Sequence, residues 1–204
     1  MCAEFEFSEA QRDPESGIKE SLCYVTVGTG IGIGLIINGK CVHGMMHPEG
    51  GHVRVPVDER EKTLYNDFKG VCPFHNGCVE GLCSNIAVKE RLQLTSVHEV
   101  AELADDNEVW DLLAGYLGTF ASNLYLTLSY EKILFGGGIF NRAILLQKTR
   151  EVFAERINSY VKLDKITGTE ALEKLIVRPH FGDDLGMIAA AAVGAGRSFT
   201  SYEL

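Results

Sequence analysis

Short runs of apolar, β-branched residues predict β-strands near the start of the chain. The run Leu22–Val27 is typical of a buried strand, and it ends in a glycine-rich segment at 28–32. A second apolar strand is predicted at 33–37, and the Asn-Gly pair that follows it is a strong signal for a two-residue hairpin turn. A short return strand at 40–42 completes a predicted antiparallel meander.

Apolar residues spaced three and four positions apart predict helices further along the chain. The longest periodic segment covers 108–130, and a second amphipathic helix is predicted at 141–160. A short helix is predicted at 84–94. Another begins at Ser96, where a Glu three residues later completes a capping box.

Two further apolar strands, at 132–135 and 174–178, alternate with these helices. A last helix, rich in small residues, is predicted at 185–197, with Asp183 or Asp184 as its N-cap. Alternation of strands and helices indicates parallel strands joined by right-handed crossovers. The predicted fold is therefore α/β, and the order of its elements is that of a ribonuclease-H-like (actin-like ATPase) domain.

The segment 43–85 interrupts this pattern as an insertion after the third strand. It is rich in Gly, Pro, His and Cys and shows little periodicity. Because long loops inside compact domains are usually functional, we expect the insertion to carry part of the site. Residues 1–20 are predicted to be poorly ordered or a remnant of another unit, which leaves one domain at 21–200.

Charge and composition exclude several classes of partner. The 204 residues carry 28 acidic and 19 basic side chains, a formal net charge of −9. Because there is no run of Lys and Arg, no nucleic-acid partner is expected. No apolar run approaches the roughly 18 residues that a membrane helix needs, so no membrane partner is expected either. Residues 1–14 are acidic and polar, unlike a signal peptide, and the expected location is cytoplasmic.

Cys72, His75 and Cys78 place a soft metal donor at every third residue within the insertion. Thiolate and imidazole are ligands that zinc prefers, and tight spacing lets one loop supply several of them. His52 is the first candidate for a fourth ligand. The alternatives for this position are His43, His47 and Cys83. Four protein ligands would make a structural zinc site that stabilises the loop, whereas the other interpretation is a set of unrelated side chains.

Four motifs stand out in the sequence: VGTGIG at 27–32, HPEGGH at 47–52, CPFHNGCVEG at 72–81 and FGGG at 135–138. Together they carry a resemblance to the ROK family (repressors, open reading frames and sugar kinases). The segments HPEGGH at 47–52 and CPFHNGCVEG at 72–81 resemble its signature, although the common family pattern is E-x-G-H followed by C-x-C-G-x-x-G-C-x-E. The segment VGTGIG at 27–32 resembles the family's phosphate segment, and FGGG at 135–138 resembles its second, nucleotide-contacting turn. The resemblance spans roughly residues 20 to 198, and its C-P-x-H-x-x-C variant is associated with zinc-containing fructokinases.

The resemblance implies ATP-dependent phosphorylation of a hexose, with fructose converted to fructose 6-phosphate and Mg²⁺ accompanying the ATP. The implied sugar-binding residues are Glu49, His52 and Glu80. The implied zinc ligands are His52, Cys72, His75 and Cys78. The implied ATP-binding residues are Thr29, Gly136, Gly137 and Gly138. Family enzymes are often dimers, so a homodimer is implied as well.

No catalytic residue is assigned within this sequence. Family kinases begin with a domain that carries a D-x-G-G-T phosphate loop and an N-D-x-N segment whose Asp is the general base, and the resemblance places that Asp upstream of Met1. Asp13 is the nearest aspartate, but it lacks the flanking Asn residues. We therefore expect the chain to be the C-terminal portion of such a kinase, with no turnover of its own.

Two other functions stay open at the level of sequence. A ROK-type sugar-sensing regulator shares the metal loop but carries a helix-turn-helix, which is not seen here, and the acidic charge opposes DNA binding. A non-catalytic zinc-binding module would leave the cleft unused. Asn85 and Ile86 stand where the family usually has Gly-Pro near the adenine, so nucleotide affinity is expected to differ from that of other members.

Overall fold

A computed structural model of the protein describes residues 1–161 and 168–196. Five strands of this part of the chain form one sheet in the order β3-β2-β1-β4-β5. The strands are β1 (Leu22–Val27), β2 (Ile31–Ile37), β3 (Lys40–Cys41), β4 (Lys132–Gly136) and β5 (Ile176–Val177). Strand β1 pairs antiparallel with β2 and parallel with β4, and β4 pairs parallel with β5. The predicted meander followed by parallel strands is therefore confirmed.

Eight α-helices lie in the described part of the chain. They are α1 (Cys2–Ala10), α2 (Arg60–Leu64), α3 (Val79–Cys83), α4 (Asn85–Arg91), α5 (Val109–Leu128), α6 (Ala143–Ile157), α7 (Thr169–Leu175) and α8 (Leu185–Gly194). The helix predicted from Ser96 is a 3₁₀-helix, Val97–Glu102, with the expected capping box. The predicted ends of the last helix at 197 and of the domain at 200 lie outside the described residues. Among the helices described, none is both long and apolar enough to span a membrane.

The central strand β1 is buried on both faces because helices cover both sides of the sheet. Cys23, Val25 and Val27 point into the larger core, which α5 and α6 complete. Leu22 and Tyr24 point to the opposite face, where α1 and α8 form a second, smaller core. Successive side chains of a strand point to opposite faces of the sheet. Because both faces of β1 are covered, its sequence is a continuous apolar run.

Residues 1–20 are not poorly ordered, which corrects the expectation from the sequence. Helix α1 buries Ala3 and Phe5 against the second core, and Ala3 fits beside Gly34 of β2, where a Cβ atom would lie 2.6 Å from the Ala3 Cβ. The carboxylate of Glu131 accepts hydrogen bonds from three successive backbone N–H groups at 19–21, at 2.8 to 3.0 Å. The prediction failed because Phe5 and Phe7 stand two positions apart, which is a strand period rather than a helical one.

The region before the last helix departs from two further expectations. The strand predicted at 174–178 is reduced to β5, because the residues before it form α7, whose Leu172 and Leu175 are buried. Asp184 does occupy the N-cap position of α8, but the turn before it, not a carboxylate hydrogen bond, starts that helix. The carboxylate of Asp183 instead accepts hydrogen bonds from Asn141 at 2.6 Å and Arg178 at 3.1 Å.

Candidate functional site

The insertion brings four potential metal ligands together. The donor atoms of His52, Cys72, His75 and Cys78 all lie within 4.8 Å of one another. Cys72 Sγ lies 3.7 Å from His52 Nδ1 and 3.6 Å from His75 Nδ1, and Cys78 Sγ lies 3.9 Å from His52 Nδ1. A tetrahedral ion with bonds of about 2.3 Å to sulfur and about 2.0 Å to nitrogen separates such atoms by roughly 3.5 Å, so the cluster has the size of one metal site.

Backbone pairing holds the two ligand-bearing segments side by side. Val55 N–H donates to the Gly77 carbonyl at 3.1 Å, and Val79 N–H donates to the Val53 carbonyl at 3.0 Å. Cys78 is the N-cap of α3, where its Sγ accepts a hydrogen bond from a backbone N–H at 3.3 Å. Burial raises the pKa of the Cys78 thiol, although that N–H opposes the shift.

The alternative fourth ligands lie elsewhere. Cys83 is buried in the larger core, and burial raises the pKa of its thiol. His47 Nε2 lies 2.7 Å from Glu49 Oε1, so it pairs with a carboxylate. Of the candidates weighed from the sequence, His52 is the one whose ring nitrogen faces the sulfur atoms.

The two candidate sugar-binding carboxylates have different surroundings. Glu80 lies on α3 with 27% of its side chain exposed, and its Oε1 is 3.8 Å from His52 Nε2. Its other oxygen, Oε2, accepts a hydrogen bond from the Ile31 N–H at 2.8 Å. Glu49 precedes the 3₁₀ turn Gly50–His52, and its side chain is 49% exposed. Both carboxylates can therefore receive hydrogen bonds from a ligand, and Glu80 also contacts the protein backbone.

The first glycine-rich turn connects β1 to β2 at the carboxyl end of β1. Thr29 is exposed at its tip, and Gly28 N–H donates to the Gly30 carbonyl at 2.9 Å across the turn. The N-terminus of α4 is tied to the same turn, because Asn85 N–H donates to the Gly28 carbonyl at 2.8 Å. The turn therefore lies beside the N-terminus of α4, a helix that follows the candidate metal ligands in the chain.

The second glycine-rich turn follows β4, the parallel neighbour of β1. Gly137 has φ +88°, and a Cβ atom there would overlap the Val27 carbonyl, so this position requires glycine. Nothing lies within 4 Å of a Cβ placed at Gly138, which faces open space. The carboxyl ends of parallel strands share one sheet edge, so the two glycine turns adjoin there.

A cavity of about 620 Å³ opens beside the second turn, and this volume suits a small-molecule ligand. Its lining includes Gly138, Asn85 and three residues that the sequence reasoning did not select: Asp105, Trp110 and Arg142. The Arg142 guanidinium lies 4.5 Å from the Trp110 ring centroid and pairs with Asp105. These three residues come from separate elements, so no local motif could have identified them.

Asp13 stands away from the glycine turns. Its carboxylate caps a 3₁₀ turn after α1 by accepting a hydrogen bond from Glu15 N–H at 2.9 Å. The opposite end of α1, at Cys2, is the end that lines a small cavity with Thr26 and Gly138. A nine-residue helix is about 13 Å long, so Asp13 is not placed to act at the site.

The chain is similar in sequence to proteins named fructokinase. A fructokinase from Zymomonas mobilis is 40% identical over 173 residues, covering 83% of this chain and 52% of that protein. A fructokinase from Streptococcus mutans is 36% identical over 148 residues, covering 72% and 48%. The chain thus spans about half the length of these curated relatives.

The fold is shared with solved structures. A ROK hexokinase from Thermus thermophilus superimposes with a TM-score of 0.69 at 20% identity, covering 93% of this chain and 63% of that one. The fold that the two chains share includes the mixed α/β sheet described above. The model of the family described as "ROK family" matches residues 3–196, so the chain belongs to the ROK family.

Proposed function

We propose that the chain forms the sugar- and nucleotide-facing part of a ROK hexose kinase, with fructose as the sugar. The observation that carries this proposal is the position of Glu80, which faces His52 and the first glycine turn at the same time. A kinase needs the sugar hydroxyl and the terminal phosphate side by side, and these two groups of residues meet at that point. The similarity to two proteins named fructokinase supports fructose over other hexoses.

We infer that the four-ligand cluster binds zinc. The donor set of two sulfur and two imidazole nitrogen atoms fits zinc, and a site closed by four protein ligands is structural. Zinc would bind His52, Cys72, His75 and Cys78 and fix the shape of the insertion. With Nδ1 of His52 bound to the metal, its Nε2 would carry the proton, and this atom faces Glu80.

The sugar site consists of Glu49, His52 and Glu80. Carboxylates accept hydrogen bonds from pairs of hydroxyl groups, and the His52 Nε2–H can donate one. A sugar that lacks a matching hydroxyl leaves one of these polar groups without a partner, which is how such a site selects among hexoses.

The nucleotide site consists of the two glycine turns and the 620 Å³ cavity. Backbone N–H groups near Thr29 and at 136–138 would contact the phosphates of ATP, and Mg²⁺ would be held chiefly by the phosphate oxygens. The base and ribose would occupy the cavity beside Trp110 and Asn85. Arg142 and Trp110, which contact each other, form part of its wall.

The general base is not assigned to any residue of this chain. Proton removal from the sugar hydroxyl would come from an aspartate outside this sequence, as the family pattern implies. The chain alone is therefore expected to bind its ligands without turning them over. A homodimer and a cytoplasmic location stay predictions of the same resemblance.

Binding measurements on the purified chain test the proposal. We expect about one zinc per chain by elemental analysis and saturable, separate binding of fructose and of MgADP by calorimetry. Glu49→Gln should weaken fructose binding roughly tenfold or more, because an amide replaces the charged acceptor. The matched control is Glu102→Gln at an exposed position, which should bind fructose normally. Binding of neither fructose nor nucleotide would contradict the proposal and favour a non-catalytic module.

The regulator alternative makes a different prediction for the same titrations. A sugar-sensing regulator binds sugar without needing a nucleotide, so fructose binding with no response to MgADP would support it. The net charge of −9 disfavours contact with DNA phosphates. We therefore keep the kinase as the proposed function.

A further inference from the structure

The carboxylate of Glu80 does more than face the sugar site. We propose that Glu80 is a positioning residue for the first glycine turn and that it couples the metal cluster to phosphate binding. In this role Glu80 holds the turn at 28–31 in shape, and the metal holds Glu80. The inference rests on the proposed function, because it assumes that the cluster binds a metal and that the turn contacts phosphate.

The contact between Glu80 and the turn is direct. Glu80 Oε2 accepts the hydrogen bond of the Ile31 N–H at 2.8 Å, where the turn passes into β2. The fit is close, because a Cβ atom at Gly30 would lie 2.8 Å from the same oxygen. The Ile31 N–H is thereby occupied by protein, and phosphate contacts are left to the N–H groups nearer Thr29.

Two further contacts brace the same turn. Asn85 N–H, which follows α3 in the chain, donates to the Gly28 carbonyl at 2.8 Å. On the other side, the 3₁₀ turn Gly50–His52 lies against Ile31, where a Cβ atom at Gly51 would overlap the Ile31 carbonyl oxygen. The glycine turn is therefore held from both sides by segments of the insertion and the helices after it.

Two of the four candidate metal ligands, His52 and Cys78, sit on those same two segments. His52 ends the 3₁₀ turn, and Cys78 is the N-cap of α3, two residues before Glu80. An ion bonded to both would fix the distance between the segments, and it would fix the His52 ring whose Nε2 faces Glu80 Oε1 at 3.8 Å. Residues that orient a metal ligand in this way commonly affect metal binding and function together. Here the effect extends from the metal cluster to the glycine turn that contacts phosphate.

Three variants separate this role from sugar binding. Glu80→Ala removes the acceptor of the Ile31 N–H, whereas Glu80→Gln keeps an oxygen that can accept it. Glu49→Ala is the matched control, since Glu49 shares the proposed sugar role but its carboxylate contacts His47, not the turn. Amide hydrogen exchange of a peptide covering 28–36 and the Kd for MgADP are measured on each.

We expect Glu80→Ala to speed exchange in the 28–36 peptide and to weaken MgADP binding, each by roughly tenfold, as fits the loss of one charge-assisted hydrogen bond. Glu80→Gln and Glu49→Ala should keep wild-type exchange and MgADP affinity while losing fructose binding. Unchanged exchange in α5 peptides serves as the folding control. Wild-type exchange and MgADP affinity in Glu80→Ala would overturn the positioning role.

Removing the metal with a chelator tests the coupling. The stripped wild-type chain should show faster exchange in the same 28–36 peptide, and added zinc should restore it. If the stripped chain keeps wild-type exchange there, the coupling is wrong. Should the chain bind no MgADP at all, the proposed function fails, and the exchange data still decide whether Glu80 and the metal hold the turn.

Discussion

Glu6 is a carboxylate placed where few carboxylates are stable. It lies on α1 with 5% of the residue exposed, and its Oε1 accepts a hydrogen bond from the Phe181 N–H at 3.3 Å. Burial raises the pKa of Glu6 above its ordinary value of 4.5, although the Phe181 N–H and nearby His180 oppose the shift. Folding therefore shifts the equilibrium of this carboxyl group towards its protonated form.

Glu6→Gln should stabilise the protein at neutral pH. From about pH 4.5 upward the folded state binds more protons at this position than the unfolded state, so the free energy of unfolding falls as pH rises through the folded pKa. The glutamine amide of this variant cannot ionise, and its oxygen can still accept the Phe181 N–H. We expect a higher free energy of unfolding at pH 7 than in the wild type, and a flatter pH profile in urea unfolding. Glu15→Gln, at an exposed position, should leave the profile as in the wild type; equal profiles for all three proteins would contradict the prediction.

At the scale of elements, the sequence predicted the helices and strands whose buried residues recur at a regular spacing. Helix α5 and strand β1 lie within the core, and their long apolar patterns identified them. Helix α1 was missed because its two phenylalanines follow a strand period, and α7 was missed because its buried residues run into β5. Both helices are stabilised by packing against elements that are distant in the chain, and no local sequence pattern predicts such packing.

The residues of the candidate site fall into the same two groups: those that a local pattern predicts and those that only the fold brings together. The spacing of Cys72, His75 and Cys78 is local, so the sequence could propose them as neighbours. The contact of Arg142 with Trp110 depends on how α5 meets the start of α6, and it became visible only in three dimensions.

The packing of α5 against α6 depends on one glycine. A Cβ atom at Gly118 would lie 2.6 Å from the Val152 Cβ and 2.9 Å from the Thr149 carbonyl oxygen, so α6 would have to move. Gly118→Ala should therefore lower the free energy of unfolding by about 1–3 kcal/mol.

Gly115→Ala is the matched control in the same helix. Nothing lies within 4 Å of a Cβ at this position, so the substitution should follow helix propensity alone and raise stability by about 0.5–1 kcal/mol. Urea unfolding of both variants measures the difference. The same sign of change for both would show that α5 and α6 do not approach as closely as described.

At the scale of the whole molecule, a buried ion pair ties the insertion to the domain. Glu61 of α2 and Arg91 of α4 have fully buried side chains, and they form hydrogen bonds of 2.8 to 3.2 Å. Tyr116 of α5 donates to Glu61 at 2.8 Å, and Arg91 also donates to the Leu82 carbonyl of α3 at 2.8 Å. Four helices, two of them within the insertion, therefore meet at one network that does not include the metal ligands.

Glu61→Gln should be strongly destabilising, because it leaves the Arg91 charge buried without its partner. We expect a loss of about 3–5 kcal/mol in the free energy of unfolding. The double variant Glu61→Leu/Arg91→Met removes both charges and should recover a large part of that loss. Urea unfolding measures the stability of both variants. If the double variant is no more stable than the single one, the network stabilises the fold through the shape of its side chains rather than through charge pairing.

Metal removal should then open only part of the insertion. The segment 70–78 carries three of the four candidate ligands, whereas 58–68 carries Glu61 and is held by the ion pair with Arg91. Chelation should lower the thermal midpoint by roughly 5–10 °C and speed amide exchange in 70–78, while 58–68 keeps its protection. In Glu61→Gln the same treatment should release both segments, because both anchors are then lost. If chelation exposes 58–68 in the wild type as fully as 70–78, the ion pair is not an independent anchor, and the metal alone holds the insertion against the sheet.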